Sequence, residues 1–267
     1  MTGGKEGNDK ESGLIYILLW TPADKEPFNY LDKGQEAFTK RNCPYQNCFL
    51  TSNRTYFDNT LYYDAILFNA WHLNTGPTED IPKNRSETQE YFLVGQESAA
   101  LYPIPPNFNN FFNMTWTYKL SSDVIHPYIT VKNSRGVTIG PKMDMNWEEN
   151  MLSPDHGVIS KVNNKSIAAA WIASNCANGG HRYYFVKNLQ HQLLKYDHRV
   201  DIYGKCGNLF CPEGERMNEC FGAIESDYYF YLAFENSFAE DYVTEKLLHA
   251  LEHFSVPIVY GAANYSR

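Results

Sequence analysis

Charged side chains cluster where a predicted strand gives way to a predicted helix, in the stretch Phe230–Gly261. Glu240, Asp241, Glu245 and Lys246 all lie in that turn and the first part of the helix. Carboxylates can bind hydroxyl groups, and a lysine can neutralise the charge of a phosphate. Because open α/β sheets form their ligand sites at the carboxyl ends of strands, this cluster is the first candidate for a binding site.

The elements that would position this cluster are a strand, a helix and a second strand. Tyr229–Phe234 is aromatic and apolar throughout, which predicts a strand covered on both faces. Ser237 with Glu240 three residues later fits a capping box, and Asp241 would cap a slightly later helix start. Ile258–Tyr260 starts the next strand just after a proline. A crossover of this length predicts a parallel, right-handed βαβ unit.

Helical spacing divides the residues of this predicted helix between a buried and an open side. Tyr242 and Lys246 flank the buried stripe, and Glu245 points away from it. On periodicity alone, Asp241, Glu245 and Lys246 also fit an ordinary solvated helix face, which remains the alternative interpretation. The predicted buried stripe consists of Val243, Leu247, Ala250, Leu251 and Phe254.

Several blocks of the sequence resemble the α-1,3-fucosyltransferases, glycosyltransferases that use GDP-fucose. The densest match runs through Phe230–Ser266, where FENS is followed by EDYVTEKLLHAL and VPIVYGAANYS. The other matching blocks are Gln96-Glu97-Ser98, FFNMTWTYKLSSDVIHPY at Phe111–Tyr128, IASNC at Ile172–Cys176 and VDIYGKC at Val200–Cys206. The resemblance covers most of residues 14–267 and is weakest before about residue 90.

The resemblance implies an α/β fold of the GT-B type, with two Rossmann-like halves facing a cleft. We predict a disordered tail over residues 1–13, an acceptor-side domain over residues 14–150 and a GDP-fucose-binding domain over residues 151–267. The family continues beyond the point where this chain stops, so the second half is expected to be incomplete. We therefore expect the 267-residue chain to be poorly soluble and inactive, and a C-terminal extension to restore both properties.

Alternating strand and helix patterns also support two α/β halves, with Asn146–Pro154 as the expected link. The predicted strands are Leu14–Trp20, Phe49–Thr51, Asp64–Asn69, the YFLVG run within Thr88–Ser98, Ser166–Ser174 and Val200–Tyr203. The predicted helices of these halves are Asp32–Arg41, Phe108–Met114 and Arg182–Tyr196.

Glu97 is the candidate catalytic base. The resemblance aligns it with the acidic residue that holds this role in the family, where the base accepts the proton of the acceptor hydroxyl. Taken alone, Gln96-Glu97-Ser98-Ala99 fits a loop with a solvated glutamate, which is the alternative. Ala99 replaces the usual proline of the family, so the loop is expected to be less rigid.

Arg182 and Lys246 are the candidate partners of the donor diphosphate. Arg182 opens a predicted helix after two glycines, and its spacing places it on the inward stripe with Val186 and Tyr196. A helix N-terminus and an arginine fork both favour phosphate, although a surface arginine is the local alternative. The resemblance implies further donor contacts by Glu245 to fucose or ribose, and by Tyr242 and Asn236 to the nucleotide.

Composition restricts the class of protein and its compartment. A net charge of −8 argues against non-specific nucleic-acid binding. Six cysteines fit disulfides in any of fifteen pairings, and the five-residue spacings Cys43/Cys48 and Cys206/Cys211 allow a local bridge at each. Zinc is disfavoured, because no CxxC pair or histidine partner has finger-like spacing. Together with the cysteines, the secretory pathway is indicated by sequons at Asn53, Asn84, Asn113, Asn164 and Asn264.

The apolar pattern and the resemblance also bear on membrane attachment and cofactors. The first apolar run, Leu14–Trp20, is too short to span a bilayer, so no transmembrane helix is predicted. The resemblance implies a lumenal Golgi enzyme, a type II membrane protein whose N-terminal anchor is absent from this sequence. No metal or other cofactor is expected, because Arg182 and Lys246 can supply the positive charge at the leaving diphosphate.

The resemblance implies an inverting enzyme that moves L-fucose from GDP-fucose to a hydroxyl of GlcNAc, in α-1,3 linkage. The acceptor would be an N-glycan or a glycolipid, and the choice between core chitobiose and a LacNAc antenna stays open. Two other functions stay open as well. One is an inactive nucleotide-sugar- or glycan-binding relative in the secretory pathway, and the other is a GT-B enzyme that uses another activated sugar.

Overall fold

Residues 10–11, 13–77, 79–147, 152–176, 181–212 and 217–267 are described in the computed structural model of the protein. The chain divides into two compact units, Met1–His126 and Pro127–Arg267, each built on a parallel sheet. The α/β class and the division into two halves agree with the prediction. The boundary lies earlier than the predicted one after residue 150, because residues 127–147 group with the second unit.

The first unit is a six-stranded parallel sheet with short helices. Its strands are β1 (Ile15–Leu19), β2 (Cys48–Thr51), β3 (Ala65–Asn69), β4 (Glu90–Gly95), β5 (Met114–Thr117) and β6 (Val124–Ile125). They pair in the order β2-β1-β3-β4-β5-β6, and every pair is parallel. Its helices are α1 (Glu36–Thr39) and α2 (Ala70–Thr75), with 3-10 turns at Phe28–Tyr30, Thr60–Tyr62 and Pro106–Phe108.

Side-chain alternation along the central strand β3 builds the core on both faces of this sheet. Ile66 and Phe68 pack into one buried cluster, whereas Ala65 and Leu67 pack into another. All of β3 is buried, as expected for a strand inside a parallel sheet that is covered on both faces. The carboxyl end of β3 is thereby held beside that of β4, and Glu97 follows β4 in the sequence.

Two predicted helices of the first unit differ from the structure. The helix predicted at Asp32–Arg41 is reduced to α1, and the helix predicted at Phe108–Met114 is replaced by a 3-10 turn and then β5. The strand forms because β5 pairs with β4, and Asn113 Oδ1 accepts a hydrogen bond from Tyr91 N at 2.6 Å. Cross-strand pairing thus overrides the local helical pattern.

The predicted disordered tail, residues 1–13, lies partly outside the described residues, which omit 1–9 and 12. Lys10 Nζ forms an ion pair with Asp64 Oδ1 at 2.8 Å. Glu11 N donates a hydrogen bond to the Tyr16 hydroxyl at 3.2 Å. These contacts attach the described part of the segment to β1 and to the residue before β3.

The second unit is a four-stranded parallel sheet with an added antiparallel hairpin. The hairpin strands are β7 (Val131–Lys132) and β8 (Thr138–Gly140). The sheet strands are β9 (Ile167–Ile172), β10 (Val200–Tyr203), β11 (Tyr228–Phe234) and β12 (Val256–Tyr260), in the order β10-β9-β11-β12. The helices are α3 (His156–Asn163), α4 (Arg182–Leu194), α5 (Asn218–Asp227) and α6 (Glu245–Glu252). The predicted parallel βαβ unit of β11, α6 and β12 is confirmed.

Helices cover both faces of this second sheet. Val186 of α4 lies with Trp171 and Phe234 in one buried cluster, and Phe221 of α5 lies with Ala250 of α6 in another. The connection from β9 to β10 runs across the sheet in the opposite direction to that from β11 to β12. Because crossovers of this kind are right-handed, α4 and α6 fall on opposite faces.

The start of α6 differs from the prediction. The helix begins at Glu245 with Thr244 at its N-cap, so a capping box formed by Ser237 and Glu240 is wrong. Asp241, the alternative cap, has a left-handed backbone with a φ of 59°, which does not continue into a right-handed helix. The helix starts later because long-range contacts, described below, hold the residues before it.

Two predicted apolar stripes are shorter than expected. On α6, Ala250 is buried, but Leu251 lies about 100° further round the helix and is 56% exposed. Phe254 follows α6 with a left-handed φ of 50°. On α4, Val186 is buried, but Tyr196 lies beyond the helix end and is 72% exposed. Each helix therefore packs through fewer residues than its spacing predicted.

The segment before α3 contacts the end of the chain, which explains its place in the second unit. Trp147 Nε1 donates a hydrogen bond to Ser266 O at 2.9 Å. The rings of Tyr128 and Tyr242 meet edge to face with centroids 5.8 Å apart. Part of the predicted link at Asn146–Pro154, residues 148–151, lies outside the described residues.

Disulfides are present, as predicted, but neither of the local bridges that the spacing allows is formed. The bonds are Cys176–Cys206 and Cys211–Cys220, whereas Cys43 and Cys48 are free thiols. Strand register explains the first bond. Ile172 and Tyr203 end β9 and β10 side by side, and Cys176 and Cys206 follow them with Cα atoms 5.3 Å apart. Spacing along the sequence could not show this proximity, because it arises from strand pairing.

Candidate active site

Glu97 is an exposed side chain on a firmly held turn after β4. The next residue, Ser98, is fully buried, and its carbonyl accepts hydrogen bonds from Leu101 N at 3.0 Å and Tyr102 N at 3.1 Å. The turn is therefore fixed by its backbone even though alanine replaces the proline that the family usually has at the following position. A carboxylate held in this way can point to a ligand without ordering a mobile loop.

A cavity of about 410 Å³ adjoins Glu97 in the first unit. Asn69 and Trp71, at the carboxyl end of β3 and the start of α2, line one side of it. Asp24 and Lys25, from the segment after β1, line another. The lining thus combines an aromatic ring with amide, carboxylate and ammonium groups, a combination that suits a ligand with several hydroxyl groups.

Three contacts hold the segment after β1 against α2. Asn69 Nδ2 donates to Glu26 O at 2.7 Å, and His72 Nε2 lies 2.8 Å from Asp24 Oδ1. Lys25 Nζ lies 4.5 Å from the centroid of the Trp71 ring. The hydrogen bond with His72 holds the pKa of Asp24 below its usual range, so this carboxylate is ionised at neutral pH. This wall of the cavity is therefore preformed.

Glu97 also lines a second cavity, of about 270 Å³, in the same unit. Its walls include Leu93 and Ile104 and the hydroxyl groups of Thr117 and Ser122. Those two hydroxyl oxygens are 2.5 Å apart and share a hydrogen bond. The Glu97 carboxylate thus stands beside one polar cavity and one more apolar cavity, where a proton-accepting group could act on a bound hydroxyl.

The charged cluster of the second unit lies at the carboxyl end of β11. Glu235 follows β11 and is 1% exposed, and its carboxylate accepts a hydrogen bond from Thr244 N at 2.8 Å. Lys246 Nζ lies 3.3 Å from Glu235 Oε2 and 3.0 Å from Glu245 Oε1. The structure therefore brings together Glu245 and Lys246, which the sequence predicted, and adds a buried glutamate beside them.

The ammonium of Lys246 controls the ionisation of both neighbouring carboxylates. Burial raises the pKa of Glu235, and the attraction to Lys246 offsets this only in part. Burial also acts to raise the pKa of Glu245, but Lys246 outweighs it, so the pKa of Glu245 is lowered. Glu245 is consequently an anion at neutral pH, and its side chain is about half exposed. It can accept hydrogen bonds from hydroxyl groups of a ligand.

Arg182 is deeply buried rather than displayed at the surface. Its side chain is the first of α4, and the residue is 4% exposed. Nη1 donates to Phe234 O at 2.8 Å and Nη2 to Asn175 O at 3.1 Å, and the guanidinium carbon lies 5.5 Å from the centroid of the Trp171 ring. Burial lowers the pKa of the guanidinium. The predicted loop glycines before it, residues 179–180, lie outside the described part of the chain.

Several polar atoms near this edge are buried without a hydrogen-bond partner among the described residues. They include Asn236 Oδ1, Arg182 Nε and the Tyr265 hydroxyl. Burial, with a smaller effect of Glu235, raises the pKa of Tyr265 to about 12, so its hydroxyl stays protonated. Tyr242, the remaining predicted donor contact, is 1% exposed. Unpaired buried polar atoms are costly, and their concentration here indicates a place that a ligand or water completes.

Two family models match this chain. The model described as "Glycosyltransferase family 10 (fucosyltransferase) C-term" matches residues 162–267, and "Fucosyltransferase, N-terminal" matches residues 12–129. The chain belongs to the fucosyltransferases of glycosyltransferase family 10. The family suggested by the sequence blocks is therefore confirmed.

Individual relatives in this family are longer than the chain. Alpha-(1,3)-fucosyltransferase C of Drosophila melanogaster is 32% identical, over 94% of this chain and 59% of its own length. Glycoprotein 3-alpha-L-fucosyltransferase A of the same organism is 33% identical, over 95% of this chain and 44% of its own length. The chain thus spans about half the length of these curated relatives. A crystal structure of alpha1,3-fucosyltransferase with GDP-fucose matches 97% of this chain and 72% of its own, at 17% identity and a TM-score of 0.49.

Several residues at the candidate sites of the two units could not be identified from the sequence. In the first unit these are Asp24, Lys25 and Trp71, and in the second unit Thr244 and Tyr265. One signal could have pointed to the first group, because Trp71 lies two residues after the end of a predicted strand, where ligand sites form. Thr244 and Tyr265 carry no such signal, since the bond of Thr244 to Glu235 and the burial of the Tyr265 hydroxyl arise only when the unit packs.

Proposed function

We propose that this protein is an inverting α-1,3-fucosyltransferase that moves L-fucose from GDP-fucose to a hydroxyl of GlcNAc in an N-glycan or a glycolipid. The observation that carries the proposal is the cluster of Glu245 and Lys246 at the carboxyl end of β11, within the stretch that the family model matches. The names of the Drosophila relatives, which specify a 3-alpha linkage, support the linkage.

In the proposed reaction, an acceptor hydroxyl attacks the anomeric carbon of fucose from the side opposite GDP. The hydroxyl proton passes to Glu97, a new carbon–oxygen bond forms, and the bond from the anomeric carbon to the β-phosphate oxygen breaks with its electron pair leaving on GDP. The transition state resembles an oxocarbenium ion, as in other glycosyl chemistry. It requires a base at the hydroxyl and positive charge at the leaving diphosphate.

Lys246 and Arg182 supply that positive charge in different ways. Lys246 is the more accessible cation, with a side chain that is 20% exposed. Arg182 acts without surface exposure. Its buried guanidinium donates hydrogen bonds to the backbone carbonyls of Phe234, at the end of β11, and Asn175, before α4. A charge in a low-dielectric interior acts more strongly than one in water. Since these cations serve the leaving group, we propose that the reaction needs no metal ion.

The acceptor is proposed to occupy the two cavities beside Glu97. An aromatic ring such as that of Trp71 can pack against the apolar face of a sugar, and the polar lining can bind its hydroxyl groups. Both cavities share Glu97, so an acceptor in either would place a hydroxyl near the base. This supports a glycan acceptor but does not distinguish core chitobiose from a LacNAc antenna.

We propose that the protein acts in the lumen of the Golgi apparatus. The two disulfides and the exposed sequon asparagines, including Asn53 and Asn264, support an oxidising, glycosylating compartment. No helix within the described ranges is long and apolar enough to cross a membrane. Immunolocalisation of the full-length protein with Golgi markers tests the assignment, and a cytosolic signal would contradict it.

The test of the proposed function measures GDP binding and fucosyl transfer separately. Labelled GDP-fucose is offered with LacNAc and core-chitobiose acceptors, and GDP binding is followed by calorimetry. Glu97→Gln should lower turnover by about 10²–10⁴-fold with GDP affinity retained, because glutamine cannot accept the proton. Lys246→Ala should weaken GDP binding by about 1.5–3 kcal/mol, the value of a charge-assisted contact.

Other outcomes identify the alternatives. GDP binding without transfer to any acceptor would favour an inactive nucleotide-sugar-binding relative. If another nucleotide sugar competed with GDP for binding and GDP-fucose did not, a different donor would be favoured. Near-normal turnover by Glu97→Gln would remove this residue from the role of base.

A further inference from the structure

A buried glutamate and a buried threonine join the two ends of the connection between β11 and α6. Glu235 directly follows β11, and Thr244 is the N-cap of α6; both are 1% exposed. Asn236 and Tyr242 lie between them, and Lys246 follows in the first turn of α6. The pair therefore brackets the segment that carries most of the candidate donor contacts.

Glu235 accepts hydrogen bonds from both the backbone and the side chain of Thr244. Thr244 N donates to Glu235 Oε1 at 2.8 Å, and Thr244 Oγ1 donates to Glu235 Oε2 at 2.9 Å. Lys246 Nζ in turn donates to Thr244 Oγ1 at 2.6 Å. The threonine hydroxyl therefore links the carboxylate to the ammonium, as a donor to one and an acceptor from the other.

We propose that Glu235 and Thr244, here called the donor clamp, are positioning residues that hold the Lys246 ammonium and the 236–243 segment in the arrangement that binds the donor diphosphate. This inference rests on the proposed function. Loss of the clamp would leave Lys246 paired with the half-exposed Glu245, at 3.0 Å. A lysine on a flexible stem then has to be ordered when the ligand binds, which lowers affinity.

Burial and the bonding partners of Glu235 act on its ionisation in opposite directions. Burial raises its pKa, and Lys246 and Thr244 lower it only in part. A carboxyl group whose pKa is raised in the folded state contributes stability below its ordinary pKa and loses that contribution as pH rises through the folded-state value. Wherever this buried carboxylate is ionised, its burial therefore opposes folding, and such groups are typical of functional sites.

Thr244→Val removes the hydroxyl that holds the Lys246 ammonium without changing any charge near it. Valine has nearly the shape of threonine but no hydroxyl, and the net charge of the site is unchanged. Glu235→Gln also removes a negative charge, which by itself would favour a diphosphate. Thr244→Ser keeps the hydroxyl and serves as the rescue variant. Glu225→Gln is the matched control, because Glu225 forms an ion pair with Lys161 outside the clamp.

Calorimetry with GDP, together with donor and acceptor KM values from the transfer assay, measures the effect. We expect Thr244→Val to weaken GDP binding and raise the donor KM about tenfold, equivalent to ~1.4 kcal/mol. The acceptor KM should stay within about twofold, since neither Glu235 nor Thr244 is among the residues that line the two cavities beside Glu97. Thr244→Ser and Glu225→Gln should bind GDP as the unchanged protein does.

Retention of GDP affinity by a folded Thr244→Val variant would overturn the inference. Equal rises in the donor and acceptor KM would do so too, because the damage would then be general. If Thr244→Val does not fold, Thr244→Ala provides the same comparison, with the same outcomes. Failure of the unchanged protein to bind GDP would instead refute the proposed function, so the two failures are distinguishable.

Discussion

Two disulfide bonds in the second unit close loops of different length, so removing each one should destabilise the protein by a different amount. Cys176–Cys206 joins residues 30 apart, and Cys211–Cys220 joins residues 9 apart. The perturbation is the replacement of both cysteines of one bond by alanine, in two separate variants. The comparison between the variants matters more than either value, because both are measured in the same background.

Loop length sets the expected magnitude. In the chain-entropy model, a closed loop of about 30 residues stabilises the folded state by ~3.6 kcal/mol at 25 °C, and a loop of about 9 residues by ~2.6 kcal/mol. We therefore expect the free energy of unfolding to fall ~1 kcal/mol further when the longer loop is opened. Each bond contains one buried cysteine, Cys206 or Cys220, so the small cavity that alanine leaves is similar in the two variants and does not change the expected difference.

Urea unfolding followed by tryptophan fluorescence is the assay, because Trp171 is 1% exposed in the core of the second unit. Replacing the free Cys43 and Cys48 of the first unit by alanine is the control, since no disulfide is lost there. The control should change the free energy of unfolding by less than about 1 kcal/mol. The reasoning is refuted if opening the shorter loop costs as much as opening the longer one.

Three further predictions concern single residues of the second unit. Lys165 Nζ donates to Tyr228 O at 2.9 Å and to Ser255 Oγ at 3.2 Å, and so links the start of β11 to the residue before β12. Lys165→Met should therefore lower the free energy of unfolding in urea by about 2–3 kcal/mol. Gly207→Ala would place a Cβ 1.8 Å from the backbone oxygen of Ile202 and should lower the free energy of unfolding by about 3 kcal/mol. Gly222→Ala, on the open side of α5, should raise it by about 0.5–1 kcal/mol. Similar melting temperatures of these two variants would contradict this. The hydrogen bond from Lys161 lowers the pKa of Glu225, so that stabilisation is present above its ordinary pKa and is lost as pH falls through the lowered value. Glu225→Gln should accordingly cost about 0.5 kcal/mol at pH 7 and nothing at about pH 2, and a pH-independent cost would rule out the ion pair as its source.

Two strands of the second unit could be predicted almost to the residue. The run Val200–Tyr203 coincides with β10, and Tyr229–Phe234 misses only the first residue of β11. Strands buried inside a parallel sheet need apolar side chains on both faces, so their signal is local and continuous. The positions of helix ends were less predictable, because a helix end depends on which groups accept or donate its unpaired hydrogen bonds.

The candidate site was only partly accessible from the sequence. Glu97, Glu245 and Lys246 were identified by resemblance, and the structure places each at the carboxyl edge of its own sheet. The sequence showed Arg182 at the start of a helix but not that its guanidinium is buried against backbone carbonyls. Burial is a property of the packed unit, so no local pattern could reveal it.

The sequence by itself determined the α/β class, the family and the strand that ends at the donor cluster, because these depend on apolar periodicity and on motifs of neighbouring residues. Only the tertiary structure decided that Cys176 meets Cys206 and that Glu235 meets Thr244. The cysteines are 30 residues apart and are brought together by the register of paired strands, whereas Glu235 and Thr244 are 9 residues apart and are brought together by the closure of a loop. Such proximity is decided when the sheet assembles, since a folded chain selects its contacts by packing all elements at once.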